Sequence, residues 1–83
     1  MNAELVSRIR TVLQQHGRLG VDALAIEPSA DLYQAGMTSH ASVNVMLGLE
    51  SEFDVEFPDH MLSRGVFASI AAIAGALQEL QPA

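Results

Sequence analysis

Apolar positions recur at helical spacing in three stretches of this chain, and glycine, proline and polar residues separate them. From Asn2 to about His16, Leu5, Val6, Ile9, Val12 and Leu13 follow the i, i+3/i+4, i+7 rule, while Arg8, Arg10, Gln14 and Gln15 take the other face. This predicts an amphipathic helix, with Gly17 placed where a C-terminal glycine would end it. A second helix is expected from about Ser39 to Phe53, where Val43, Met46, Leu47, Glu50 and Phe53 form a stripe and Thr38 or Ser39 sits at the N-cap. Gly48 in its interior costs about 1 kcal/mol relative to alanine unless something packs close to it. Ser69 can cap a last helix from Ile70 to about Leu80, with Ile70, Ile73, Leu77 and Leu80 inward and Ala71, Ala72, Ala74 and Ala76 supporting helix formation.

The segments between are read from their punctuation. Arg18 to Met37 shows no long period, and Gly20, Pro28 and Gly36 interrupt it. Yet Val21, Leu24, Ile26, Leu32, Tyr33 and Met37 are too apolar for a free linker. An ordered loop that folds back over the helices is expected, with a helical turn at Asp31 to Gln34. Asp54 to Asp59 alternates like a strand, but with no second strand to pair with it an extended connector is the better reading. Pro58 and Asp59 then open a short helix to about Ser63, which Gly65 ends, and Gln81-Pro82-Ala83 is a frayed tail. The sum is an all-α fold in one domain over 1–83: three longer helices, one short helix and a long first loop.

Composition narrows the function. The 83 residues leave little room for a second core, and 49% hydrophobic content argues against intrinsic disorder. Such a domain is expected to be about 4–12 kcal/mol stable. There is no cysteine, hence no disulfide and no thiolate metal site; His16, His40 and His60 fall in three different elements, so no metal is expected. The start, Met1 to Glu4, lacks signal-peptide features, and no apolar run approaches membrane-spanning length, so a cytoplasmic protein without membrane insertion is expected. The formal charge is −6, eight of ten acids lie between Asp22 and Asp59, and no Lys or Arg occurs between Arg18 and Arg64. That pattern excludes nucleic acid, which needs clustered cations, and favours a partner with a basic surface.

Chemistry concentrates at Gly36-Met37-Thr38-Ser39-His40, where a hydroxyl is held at the start of a helix. A Ser–His hydrolase is argued against, because adjacent helical residues do not face each other and neither a G-x-S-x-G elbow nor an orienting acid is present. Together with Asp31-Leu32-Tyr33, Leu49 to Phe53 and Phe57-Pro58-Asp59, the stretch resembles the acyl and peptidyl carrier proteins. The resemblance runs from about Asp31 to Ile73. It implies a four-helix bundle with a long first loop and a short third helix, and no catalytic residue. It also implies 4′-phosphopantetheine, taken from coenzyme A, on Ser39. Negative charge there would lie by the unpaired N–H groups of the helix start.

The flanks depart from the family's usual Asp-Ser-Leu, with Thr38 for the aspartate and His40 for the leucine. Expected docking positions are Met37, Thr38, His40, Ala41, Asn44, Leu47, Glu50 and Met61, with Met37 also touching the arm. Only Glu50 and Glu52 keep the acidic character of fatty-acid carriers along this helix, so a specialised carrier that docks more by shape is implied. Ala41-Ser42-Val43, Met46 to Glu50, Glu56 to Asp59, Arg64 and Phe67 to Ile70 look like stand-alone carriers loaded with an amino acid by ligases resembling class II aminoacyl-tRNA synthetases. The implied partners are a phosphopantetheinyl transferase, an acyl- or amino acid:carrier protein ligase and a downstream acyl-accepting enzyme, with the carrier a monomer. The rival reading is an acidic helical interaction module without cofactor.

Overall fold

Leu5, Val6, Ile9, Val12 and Leu13 do form one face of a helix, α1, which spans Ala3–His16. The computed structural model describes residues 3–80, so the tail expected over 81–83 lies outside the described residues. Ile9, Val12 and Leu13 are buried and Leu5 and Val6 pack against the core edge. The Gly17 N–H closes the last turn on the Leu13 carbonyl at 2.7 Å, and the left-handed exit falls to Arg18, at φ 51°.

Two further helices follow, α2 over Ser39–Phe53 and α3 over Ile70–Leu80. On α1 and α2 the facing pairs run in opposite directions. Arg8 Nε donates to Glu52 Oε2 at 2.9 Å, its Nη2 donates to the Glu52 carbonyl at 2.7 Å, and its guanidinium lies 4.3 Å from the Phe53 ring centroid. Further along α1, His16 faces Gly48, so the two helices are antiparallel. A Cβ on Gly48 would stand 2.7 Å from His16 Cδ2 and 3.0 Å from Val12 Cγ1. That close approach is what the glycine's helix penalty permits.

The buried face of α2 is Ala41, Val45, Leu49 and Phe53. This corrects the stripe expected from the sequence: Val43 and Leu47 are 51% and 53% exposed. The helix carries apolar residues on two faces, and the one that joins the core cluster is Ala41, Val45, Leu49 and Phe53. On α3, Ile70, Ile73, Ala74, Ala76 and Leu77 are buried and Leu80 is half-buried, as its spacing predicts. Ser69 Oγ accepts from the Ala72 N–H at 3.0 Å and caps the helix. Ile9, Leu13, Leu32, Leu49, Ile70, Ile73 and Leu77 are each completely buried. Each such side chain contributes on the order of 1.5–3 kcal/mol, and this aliphatic interior holds the domain together.

The long first loop is ordered, as its apolar content requires. Asp31 Oδ1 accepts from the Tyr33 and Gln34 N–H groups at 2.9 and 3.3 Å, which fixes the expected turn and aims Leu32 into the core. The loop also reaches the residues just before α3 and its first turn: the Leu32 N–H donates to the Ala68 carbonyl at 2.7 Å, and the Ala71 N–H to the Pro28 carbonyl at 2.9 Å. From the other side, Arg10 Nη1 donates to the carbonyls of Ala23 and Ile26. Gly36 turns the chain into α2 at φ +119°, and a Cβ there would meet the Gly20 nitrogen at 2.9 Å.

Beyond α2, Asp54 takes the left-handed conformation at φ 53°, and residues 55–58 form the expected irregular connector. The short helix departs from expectation. It is two 3-10 turns, Asp59–Met61 and Arg64–Phe67, with Gly65 inside the second instead of ending the first. Leu62 leaves the helical region at φ −88°, ψ 58°, while Phe57 and Phe67 meet edge to face at 5.3 Å and draw the segment onto the core.

Candidate functional site

Two adjacent hydroxyl residues at the start of α2 have separate positions. Thr38 is extended, at φ −84° and ψ 167°, and its Oγ1 accepts from the Ala41 N–H at 3.0 Å. Thr38 is therefore the cap and Ser39 the first helical residue. Thr38→Ala should cost about 1 kcal/mol and lower the melting temperature by roughly 4–8 °C, read by circular dichroism. An unchanged melt would show that the cap bond contributes nothing.

The Ser39 side chain is exposed, and its hydroxyl has no hydrogen-bond partner among the described residues. Its carbonyl is engaged separately, accepting from Ser42 Oγ at 2.6 Å. An unencumbered hydroxyl in the first turn can accept a phosphoryl group, and negative charge there gains about 0.3–1 kcal/mol from the helix dipole. The position thus fits a phosphodiester.

One wall of a groove of about 380 Å³ is Ser39 itself. Ser42, Val43 and Met46 of α2 continue that wall, and Tyr33, Leu62, Ser63, Arg64 and Phe67 complete the groove. The Arg64 guanidinium lies 3.8 Å from the Tyr33 ring centroid, and the Tyr33 hydroxyl donates to the Arg64 carbonyl at 3.4 Å. Sequence reasoning missed this pair, because a loop residue and a 3-10 residue so far apart leave no local spacing signal.

The expected docking positions divide by burial. Thr38, His40 and Leu47 are exposed beside or along α2, and Asn44 is half-buried. Met37, Ala41 and Met61, at 2%, 1% and 6% exposure, belong to the core, which corrects their placement on a docking face. A helix turns about 100° per residue, so Ala41 points almost opposite to Ser39 despite standing two positions away. Glu50 is half-buried, and its Oε2 accepts from the Phe57 N–H at 2.9 Å, so this carboxylate anchors the connector. Met46, part of the expected stripe, is partly buried.

Among the described residues no His/Cys/Asp/Glu group could hold a metal ion, no polar or charged residue is buried, and no helix is long and apolar enough to cross a membrane. Fold and site define a small helical domain that presents one hydroxyl to other molecules.

Comparison with known proteins agrees with that definition. The family described as phosphopantetheine attachment site matches residues 5–77. The chain is 52% identical over 65 residues to an aminoacyl carrier protein of Agrobacterium fabrum, covering 78% of each. It resembles a chain in the crystal structure of an engineered Bradyrhizobium japonicum glycine:[carrier protein] ligase complexed with carrier protein from Agrobacterium tumefaciens and ATP. There the TM-score is 0.87 and the identity 45%, covering 90% of this chain and 97% of that one. A second structure, of the Bradyrhizobium japonicum ligase complexed with glycylated carrier protein, gives a TM-score of 0.76 at 29% identity, covering 88% and 97%. The chain belongs to the phosphopantetheine-attachment family of carrier proteins, which hold 4′-phosphopantetheine covalently and are not themselves catalytic.

Proposed function

We propose that Ser39 is the attachment point and that the protein carries an aminoacyl group as a thioester, loaded by an amino acid:carrier protein ligase. The observation that carries the attachment is the free, exposed Ser39 hydroxyl in the first turn of α2, with capping done by Thr38. In the modifying step the Ser39 oxygen loses its proton and forms a bond to the phosphorus of coenzyme A. The pyrophosphate P–O bond breaks, and adenosine 3′,5′-bisphosphate leaves. The attached group supplies a thiol on a flexible arm; the chain's own residues supply a rigid mount and a docking face. It is no enzyme in this reading, and a monomer suffices.

The aminoacyl cargo is supported by likeness to a named aminoacyl carrier protein and to carriers seen with glycine:carrier protein ligases, one of them glycylated. The partners are then a phosphopantetheinyl transferase, that ligase and a downstream acyl acceptor. Their use of coenzyme A and ATP supports a cytoplasmic location. Docking falls to Thr38, His40, Val43 and Leu47, the exposed positions along the Ser39 side of α2.

Co-expression with a promiscuous phosphopantetheinyl transferase should add the mass of one arm, read by intact mass spectrometry. The modified protein, offered glycine, other amino acids and fatty acids with a glycine:carrier protein ligase and with an acyl:carrier protein ligase, should form an aminoacyl thioester. Exclusive fatty acylation would discard the aminoacyl reading and leave the carrier reading intact.

A further inference from the structure

Arg18 combines two features that folding alone does not account for. It holds the left-handed conformation at φ 51°, which strains an L side chain and suits glycine, although Gly17 stands one residue earlier. The turn needs that conformation; it does not need an arginine. The residue is also exposed, and its guanidinium enters no hydrogen bond or ion pair among the described residues. Arg8, by contrast, is committed to Glu52, and Arg10 to two loop carbonyls. A strained residue whose side chain gives the fold no bond points to a use outside it.

Beside Arg18 is a concavity of about 320 Å³, between the end of α1 and the start of the long loop. The buried Leu13 and Ala23 line it, and Val21, 53% exposed, stands on the same wall. Asp22 also lines it but turns its Oδ1 to the Leu24 N–H at 2.9 Å. Arg10 ties this stretch of loop to α1 through the Ala23 and Ile26 carbonyls, so the wall is fixed before any partner arrives.

We propose that Arg18 is a docking contact for the ligase that loads the arm, taking a carboxylate of that enzyme beside an apolar side chain that seats on Val21; the proposal rests on the aminoacyl reading above. Position supports it. The Gly20 N–H donates to the Ala35 carbonyl at 2.8 Å, and a Cβ on Gly36 would stand 3.7 Å from the Arg18 carbonyl. Three residues span at most about 11 Å, so Ser39 lies close to the same end of the bundle. A standard interface covers about 800 Å² of each partner, a patch roughly 30 Å across, so an enzyme seated over Ser39 reaches Arg18 as well.

Charge supports it too. Three of the four arginines precede Asp22, while eight of the ten acids lie from Asp22 to Asp59. A carboxylate on the ligase is repelled along that acidic stretch and accepted at Arg18, whose planar fork suits it. The contact therefore sets which way round the enzyme sits on the carrier.

Steady-state loading of the phosphopantetheinylated protein by a glycine:carrier protein ligase tests this. Arg18→Gly should raise KM for the carrier about 5-fold with kcat unchanged, the upper end for one exposed ion pair. Its melting temperature should equal or exceed the parent's, because glycine relieves the left-handed strain. Arg18→Glu should raise KM further, Arg18→Lys should restore most of the loss, and added salt should raise the parent's KM more than that of Arg18→Gly. An unchanged KM in Arg18→Gly and Arg18→Glu, or a loss in Arg18→Gly matched by a lowered melt, would overturn the docking role alone. A parent that the ligase does not load at all would overturn the aminoacyl reading and this contact with it.

Discussion

Ser39→Ala should abolish phosphopantetheine attachment and every later thioester while leaving the melting temperature nearly unchanged. The two halves of this result have separate origins. Attachment is lost because the oxygen that bonds phosphorus is gone, and Ser42, the nearest hydroxyl in the groove, is turned back onto the Ser39 carbonyl at 2.6 Å. Stability is kept because Ser39 makes no side-chain bond that folding uses, and an exposed substitution of this sort falls within about ±0.5 kcal/mol. Intact mass after co-expression with a transferase reads the first half, and a thermal melt beside Thr38→Ala reads the second. A mass increment that persists in Ser39→Ala would move attachment elsewhere. A melt as depressed as that of Thr38→Ala would mean that Ser39 shares the cap.

The next largest effect is expected at Leu47. Leu47→Asp should lower kcat/KM for ligase loading by about 10–100-fold, chiefly through KM, as loss of a central apolar anchor does at protein interfaces. The reason lies in what remains available on α2. Its two acids are already engaged, Glu50 with the Phe57 N–H and Glu52 with Arg8, so charge on this helix is spent on the fold. Val43 and Leu47, half or more exposed, are the apolar surface left for a partner. Steady-state loading with a glycine:carrier protein ligase measures the change, and circular dichroism checks that the helix is intact. An unchanged kcat/KM would remove Leu47 from the interface.

The helices were legible in the sequence because their boundaries are local events. Thr38, Ser69 and Gly17 each act within one turn, and the observed ends fall at these marks. Which face of α2 is buried was not legible. Val43 and Leu47 recur as regularly as Ala41, Val45 and Leu49, and only packing against the rest of the core decides between them. The same rotation put Ala41 on an expected docking face when its side chain fills the core, as do those of Met37 and Met61 outside the helix. The break at Leu62 that makes two 3-10 turns depends on Phe57 meeting Phe67, a contact between segments. The site hydroxyl was readable from its place before a helical stripe. The groove beside it was not, since Tyr33 and Arg64 meet only in the folded chain.

The bonds from Leu32 to Ala68 and from Ala71 to Pro28 have a consequence for how the domain assembles. Each joins the first half of the chain to the segment from Ala68 to Ala71 that leads into its last helix. Helical turns in α1, α2 and α3 can form from local contacts, but these pairings wait until distant segments meet and loop-closure entropy is met. The long loop is thus a late-closing clasp. Because Tyr33 follows directly on the clasped Leu32, the groove beside Ser39 takes its shape only when that clasp is shut. A transferase that reads the groove as well as the serine would then discriminate a finished domain from a half-assembled one.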